Sequence, residues 1–224
     1  MAVDVGHREV AEVLGEAARL GPYFEIVTGV QADGAGWSAF PGEVGKLDAL
    51  SGDYAERLGT GEARVASSLL FQGLAARLWS PVVASAALGV VPDLGELRWR
   101  GLPGEPIVLG VVEPRGWRVN DAVGAAERVY SVVVDGQLRR LRELTAGLAE
   151  GLAWGNAASA LVGSLNVGPD DLARRAIVRE LLGREPLEAT GVWGTHGYVR
   201  RSCCLYYRVP GGGMCGDCCL RPEM

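Results

Sequence analysis

Cysteine is absent from the first 202 residues of this 224-residue chain. That absence excludes a fold held by disulfide staples, and a chain of this length can bury a core that stands without them. Histidine is nearly absent as well, since only His7 and His196 occur. A Rieske-type centre needs two histidines, and these two lie far apart in the sequence. Lys46 is the only lysine, which we read as a GC-rich coding bias without functional meaning. The formal net charge is -5, so the basic footprint of a nucleic-acid binder is missing. No basic flank followed by an apolar core and a small-residue cleavage site opens the chain, and no signal peptide is expected. The apolar run Pro81–Val91 is too short to cross a bilayer. The longer stretch Leu144–Val167 is interrupted by Glu150 and Asn156 and reads as a buried helix, so no stable membrane insertion is expected. Repeats and low-complexity linkers are missing. No Gly-x-Gly-x-x-Gly follows a strand, which leaves no visible flavin or nicotinamide site.

What is present is a globular composition, with 48% apolar and 22% charged residues. Arg8–Leu20, Glu43–Leu58 and Glu62–Trp79 carry apolar residues at helical spacing. Pro81 should end or kink the third helix, with Val82–Leu88 continuing as another. Thr28–Pro41 reads as a loop. Leu97–Arg100, Ile107–Val112, Trp117–Val119 and Val129–Val134 read as strands of a small, largely antiparallel sheet. Helices return over Gln137–Leu165 and Asp170–Leu182, the latter entered by Pro169 and left at Gly183. After Pro186 the chain looks irregular up to the cysteines. Helices, then a sheet, then helices predict an α+β fold, mostly helical, in one compact chain. Within the long helix, Gly147, Gly151, Gly155, Ser159 and Gly163 recur every four residues on one face. That bare face should pack against a second helix backbone or a flat ligand.

All five cysteines fall between Cys203 and Cys219. In a reducing cytoplasm such a cluster points to metal rather than to bridges. Cys215-Gly-Asp-Cys218 is a knuckle, a tight turn that brings two thiolates onto one metal. Cys203 and Cys204 are adjacent, and neighbouring side chains of an extended chain point apart. One tetrahedral zinc accepts such a pair only with a distorted turn, whereas a two-metal cluster tolerates it. The adjacency favours [2Fe–2S] and leaves a structural zinc as the alternative. Pro210-Gly-Gly-Gly213 can aim backbone N–H groups at sulfur. Arg200, Arg201, Arg208 and Arg221 could offset the charge of a cluster or simply face solvent, while Asp217 opposes them. Cys219 is read as the non-ligand. His196 is read as non-ligating, at most an alternative ligand or a second donor near the site.

The run Arg201-Ser-Cys-Cys-Leu-Tyr-Tyr-Arg208 with Cys215-Gly-Asp-Cys218 resembles the C-terminal signature of the FhuF-like ferric-siderophore reductases. Leu78-Trp-Ser-Pro81 and Trp154-Gly-Asn156 resemble further family motifs, and the likeness runs from about Glu62 to the end. Cys219 departs from it, where proline is common. On this division residues 1–60 are a non-diagnostic helical part, 61–198 hold helices plus the small sheet, and 199–224 form the cluster-binding tail. The resemblance implies a [2Fe–2S] cluster held by Cys203, Cys204, Cys215 and Cys218. It also implies a cytoplasmic enzyme that passes one electron to a ferric hydroxamate-type siderophore and releases Fe(II). The electron would come from a separate ferredoxin or flavin reductase. Candidate substrate or electrostatic contacts are Arg201, Tyr207 and Arg208, with Tyr206, Trp193, Trp79 and Trp154 as further aromatics that could instead shield the cluster. The alternatives are an electron-transfer or redox-sensing module without a siderophore, and a zinc-stabilised interaction domain.

Overall fold

The computed structural model describes residues 3–32, 34, 36–42, 44–145, 147–195 and 197–221. The chain runs β1 (Val3–Val5), α1 (His7–Ala18), β2 (Ile26–Thr28), β3 (Ser38–Ala39), α2 (Val44–Leu58) and α3 (Ala63–Ala87). Strands β4 (Val90–Pro92), β5 (Arg98–Arg100), β6 (Val108–Val111) and β7 (Gly116–Arg118) follow. Next come α4 (Ala122–Val129), a π-helical stretch (Tyr130–Leu138), α5 (Arg139–Leu144), α6 (Glu150–Gly163) and α7 (Leu172–Leu182). A hairpin, β8 (Gly191–Gly194) and β9 (Gly197–Arg200), leads into the cysteines. The fold is α+β. Its strands form small separate sheets, ordered β1-β7-β4, β2-β6-β5-β3 and β8-β9. Every pairing is antiparallel except β2 with β6.

Helix α3 is the axis of the molecule. It buries residues on all sides, from Val65 and Ala66 through Leu74, Leu78 and Trp79 to Val82 and Val83. A helix apolar all round belongs inside a core, and α1, α2, α4, α6 and α7 pack onto it, α6 most extensively. Pro81 neither ends nor splits it, contrary to the sequence expectation, and Ala63–Ala87 is one helix. An interior proline forfeits a backbone hydrogen bond at a cost of about 3 kcal/mol. Burial of both flanking turns offsets that loss.

Val129–Val134 is not a strand. Asp121 caps α4 by accepting from the Gly124 N–H at 2.7 Å, and the helix runs on through the valines. There it changes to i→i+5 bonding. Val132, Val133 and Val134 are all buried, and Gln137 Nε2 donates to the Leu94 carbonyl at 2.7 Å. A short apolar run reads alike as buried strand or buried helix, and packing against α3 decided for helix. The long helix read over Gln137–Leu165 is also broken. Thr145 Oγ1 bonds back to the Leu141 carbonyl, and Gly147 takes a left-handed φ of 72°, which favours glycine.

The hairpin β8-β9 occupies a stretch read as irregular. Trp193 pairs with Tyr198 across it, their rings edge-on at 5.7 Å. Tyr198 lies so close over Gly191 that any Cβ there would collide with its ring. Its hydroxyl shares a 2.9 Å hydrogen bond with Thr190 Oγ1. This hairpin delivers Arg200, at the end of β9, into the body of the protein.

Candidate metal centre

Two turns carry the thiols. In the first, Leu205 adopts a left-handed φ of 70°, uncommon for a residue with a Cβ. That turn aims the Leu205 N–H at Cys203 Sγ, at 3.3 Å, and the Tyr206 N–H at Cys204. In the second, the Cys218 N–H closes the knuckle onto the Cys215 carbonyl at 3.3 Å, and the Leu220 N–H reaches Cys218 Sγ at 3.4 Å. Backbone N–H groups directed at sulfur stabilise thiolate and suit a metal-bound sulfur. In the Pro210–Gly213 segment a Cβ at Gly212 would press on the Tyr206 and Val209 carbonyls, so this glycine permits a close turn.

Cys204 Sγ and Cys215 Sγ lie 3.6 Å apart, joining the two turns. The hydrogen bond shared with Cys215 pulls the Cys204 thiol down to about 6 against the effect of burial, and the Arg200 charge adds to this. Cys215 is pushed up in consequence. The contact thus favours thiolate at Cys204, the form that ligates metal. Burial pushes the Cys203 thiol up. Among the described residues no three Cys, His, Asp or Glu side chains already converge to hold a metal ion. The Cys204–Cys215 pair is thus the preorganised part of the cradle, and Cys203 and Cys218 occupy the same two turns. Cys218 is buried, whereas Cys203 and Cys219 are half-buried, and the Cys219 charge reaches Cys203. His196 lies outside the described residues.

A buried polar chain ties these turns to the helices. Arg200 is 1% exposed. Its Nη1 donates to Asn156 Oδ1 on α6 at 2.7 Å and its Nε to Asp217 Oδ2 at 3.0 Å. Its backbone N–H donates to the Asp217 carbonyl at 3.1 Å. Asn156 Nδ2 donates to both Ser68 oxygens at 2.9 Å, and Ser68 Oγ donates to the Cys204 carbonyl at 2.8 Å. Burial opposes the Arg200 charge, but Asp217 outweighs it and holds the guanidinium above its ordinary pKa. Burial likewise pushes Asp217 up, and the Arg200 charge together with a hydrogen bond from Ser159 more than reverses this. Gly155, one residue before Asn156, receives Ser202 from the tail, and a Cβ there would collide with the Ser202 hydroxyl. Of that small-residue face, Gly155 meets the cysteine tail, while Ser159 accepts from Gln72 Nε2 on α3 at 3.3 Å. Gly151 and Gly163 face open space.

Other sequence candidates separate. Arg208 is engaged by Glu62 through Nε at 3.0 Å and Nη2 at 2.9 Å, an exposed pair that fastens the tail to the start of α3. Arg201 is exposed, and its N–H bonds to the Thr190 carbonyl at 2.7 Å. Tyr207 and Arg221 are exposed. Trp79 and Trp154 are core residues. Trp193 and Tyr206 are partly exposed and line a cleft of about 730 Å³. The cleft runs between α3 and α6, past Tyr23, Gln72 and Ser159, to Cys204, Cys215 and Asp217. Gln72 and Tyr23 escaped the sequence reading, and Ser159 entered it only as part of the small-residue face. Nothing marks them locally, because only the packing of α6 on α3 brings them to the thiols.

Residues 200–220 match the family model of the FhuF 2Fe-2S C-terminal domain. Over these residues the chain is similar to a FhuF-type 2Fe-2S domain. The match begins at Arg200 and includes all five cysteines, and it leaves residues 1–199 outside. It supports a [2Fe–2S] cluster, rather than zinc, as the cofactor of this tail. The residues fit that group: soft thiols on two turns, backbone N–H groups on sulfur, and a buried guanidinium beside them. No curated protein matches the chain. No helix among the described residues is long and apolar enough to cross a membrane.

Proposed function

We propose that the protein is a ferric-siderophore reductase acting in the cytoplasm, with the cluster held by Cys203, Cys204, Cys215 and Cys218. The observation that carries this reading is the cleft, which ends at two of the four thiols of the matched domain. The cluster, when bound, supplies a one-electron exchange between an external carrier and a chelated Fe(III). Hydroxamate oxygens are hard donors and hold Fe(III) far more tightly than Fe(II), so one electron added to the iron loosens the chelate. The carrier, a ferredoxin or flavin reductase, loses that electron, and the chelate gains it.

The chain's own residues do the rest. Leu205 and Leu220 present N–H groups to Cys203 and Cys218. Trp193, Tyr206 and Tyr23 offer aromatic faces to a chelate in the cleft, and Gln72 and Ser159 offer polar groups. The cleft's charges are compensated, since Arg175 is paired with Asp170 and Asp217 with Arg200. Such a lining suits an uncharged ferric trihydroxamate better than a highly anionic chelate.

The test is to mix anaerobic, dithionite-reduced protein with a panel of ferric siderophores and an Fe(II)-trapping dye. Re-oxidation of the visible absorption together with trapped Fe(II), fastest for the uncharged trihydroxamates, is the result this reading requires. A reduced protein that reacts with none of them would instead be an electron carrier or redox sensor.

A further inference from the structure

We propose that Arg200 is a positioning residue that sets the reduction potential of the cluster through its buried guanidinium, held beside the turns that carry Cys204 and Cys215. This rests on the [2Fe–2S] assignment but not on the siderophore substrate. Four observations carry it. The guanidinium is almost fully buried, where a charge persists only if paired or hydrogen-bonded. Two of its nitrogens are fixed, Nη1 by Asn156 and Nε by Asp217, so its plane cannot swing away. Its Nη2 is buried and has no partner among the described residues. Such an orphan donor is rare in a folded protein. The group is held against both turns: its Nε and backbone N–H bond Asp217, which lies between Cys215 and Cys218, and Asn156 joins it through Ser68 to the Cys204 carbonyl.

Each element has a chemical consequence. A four-thiolate [2Fe–2S] centre is anionic and becomes more so on reduction, so a fixed cation nearby favours the reduced form. Low local dielectric magnifies that preference. Asp217 works in the opposite direction, because its carboxylate offsets part of the arginine charge. Asn156 and Ser68 carry no charge, and they determine where the guanidinium sits. Arg201 and Arg221 are exposed and screened by solvent, and Arg208 is matched by Glu62, so none of them can act as strongly.

The experiment is a redox titration of the loaded full-length protein, followed by EPR, for wild type, Arg200→Met, Arg200→Lys and Asp217→Asn. Arg200→Met should lower the reduced-to-oxidised ratio at a fixed poise by about tenfold or more, or about 59 mV for a one-electron couple. Arg200→Lys keeps the charge without the planar fork and should recover most of that shift. Asp217→Asn should move the potential the other way, upward. Opposite signs for Arg200→Met and Asp217→Asn distinguish charge from mere support, since loss of support alone would lower cluster content in both. Should Arg200→Met fail to hold the cluster, the other two variants decide. An Asp217→Asn potential that is unchanged or lower than wild type overturns the proposal, as does an intact Arg200→Met cluster at the wild-type potential.

Discussion

Replacing Gly155 with alanine tests whether the cysteine tail is seated on α6 as described. In a helix with free space around it, glycine to alanine is stabilising by about 1 kcal/mol. Gly151, one turn earlier on the same helix, has nothing within 4 Å of a built Cβ, so Gly151→Ala should show that gain. At Gly155 the new methyl collides with Ser202 Oγ and stands 3.3 Å from Ser202 Cβ. The hydroxyl can rotate, but the Cβ contact remains tighter than ordinary packing. Overpacking of this kind costs about 1–3 kcal/mol. Set against the propensity gain, the net expectation is a loss of about 0–2 kcal/mol. For a chain of this size each kcal/mol moves Tm by about 2–4 °C. Gly155→Ala should therefore melt no higher than wild type, up to about 8 °C lower, while Gly151→Ala melts about 2–4 °C higher. Because Ser202 precedes Cys203, the damage should also appear as bleaching of the cluster absorption. Adding Ser202→Gly to Gly155→Ala should restore both readouts. Equal stabilisation by Gly151→Ala and Gly155→Ala, with full cluster content in each, would refute this seating of the tail.

The ligand assignment predicts that serine at Cys203, Cys204, Cys215 or Cys218 loses or destabilises the cluster, while Cys219→Ser keeps it. Iron and absorption measurements on each variant check this, and bleaching by Cys219→Ser with retention by Cys218→Ser would reverse the roles. Asn156→Ala strips a partner from buried Arg200 and from Ser68 together, so a loss of about 2–5 kcal/mol in denaturant unfolding is expected. Ser159→Leu should fill the cleft beside Gln72. It should slow re-oxidation by ferric trihydroxamates more than re-oxidation by small inorganic oxidants, even though loss of the Ser159 hydrogen bond to Asp217 shifts the potential for both alike. A slowing with every oxidant alike, including small inorganic ones, would argue against a chelate site there.

Much of the centre was legible because its chemistry is local. Cys203, Cys204, Cys215 and Cys218 lie within sixteen residues of one another, and the adjacent pair plus the knuckle is an unusual pattern. Asn156 was visible as a polar residue in an apolar helix, though its partner Ser68 lies 88 positions earlier. What the sequence hid depends on distant packing. Arg200 and Arg208 look alike in the same basic tail, yet one is buried against Asn156 and Asp217 while the other pairs with Glu62. The valines at 132–134 have strand chemistry, and burial against α3 makes them helical. Pro81 carries a strong local stop signal that the surrounding core overrides. Gly155 stands out as part of a bare face, but only the folded tail reveals that this one glycine makes room for Ser202.

The most direct test of the account is iron and acid-labile sulfide analysis of the full-length protein purified without oxygen, combined with EPR of the reduced sample. The account predicts iron and sulfide in equal amounts, two of each per chain as a [2Fe–2S] cluster requires, and a signal from one unpaired electron after reduction. A colourless protein with one zinc per chain and no sulfide would contradict it.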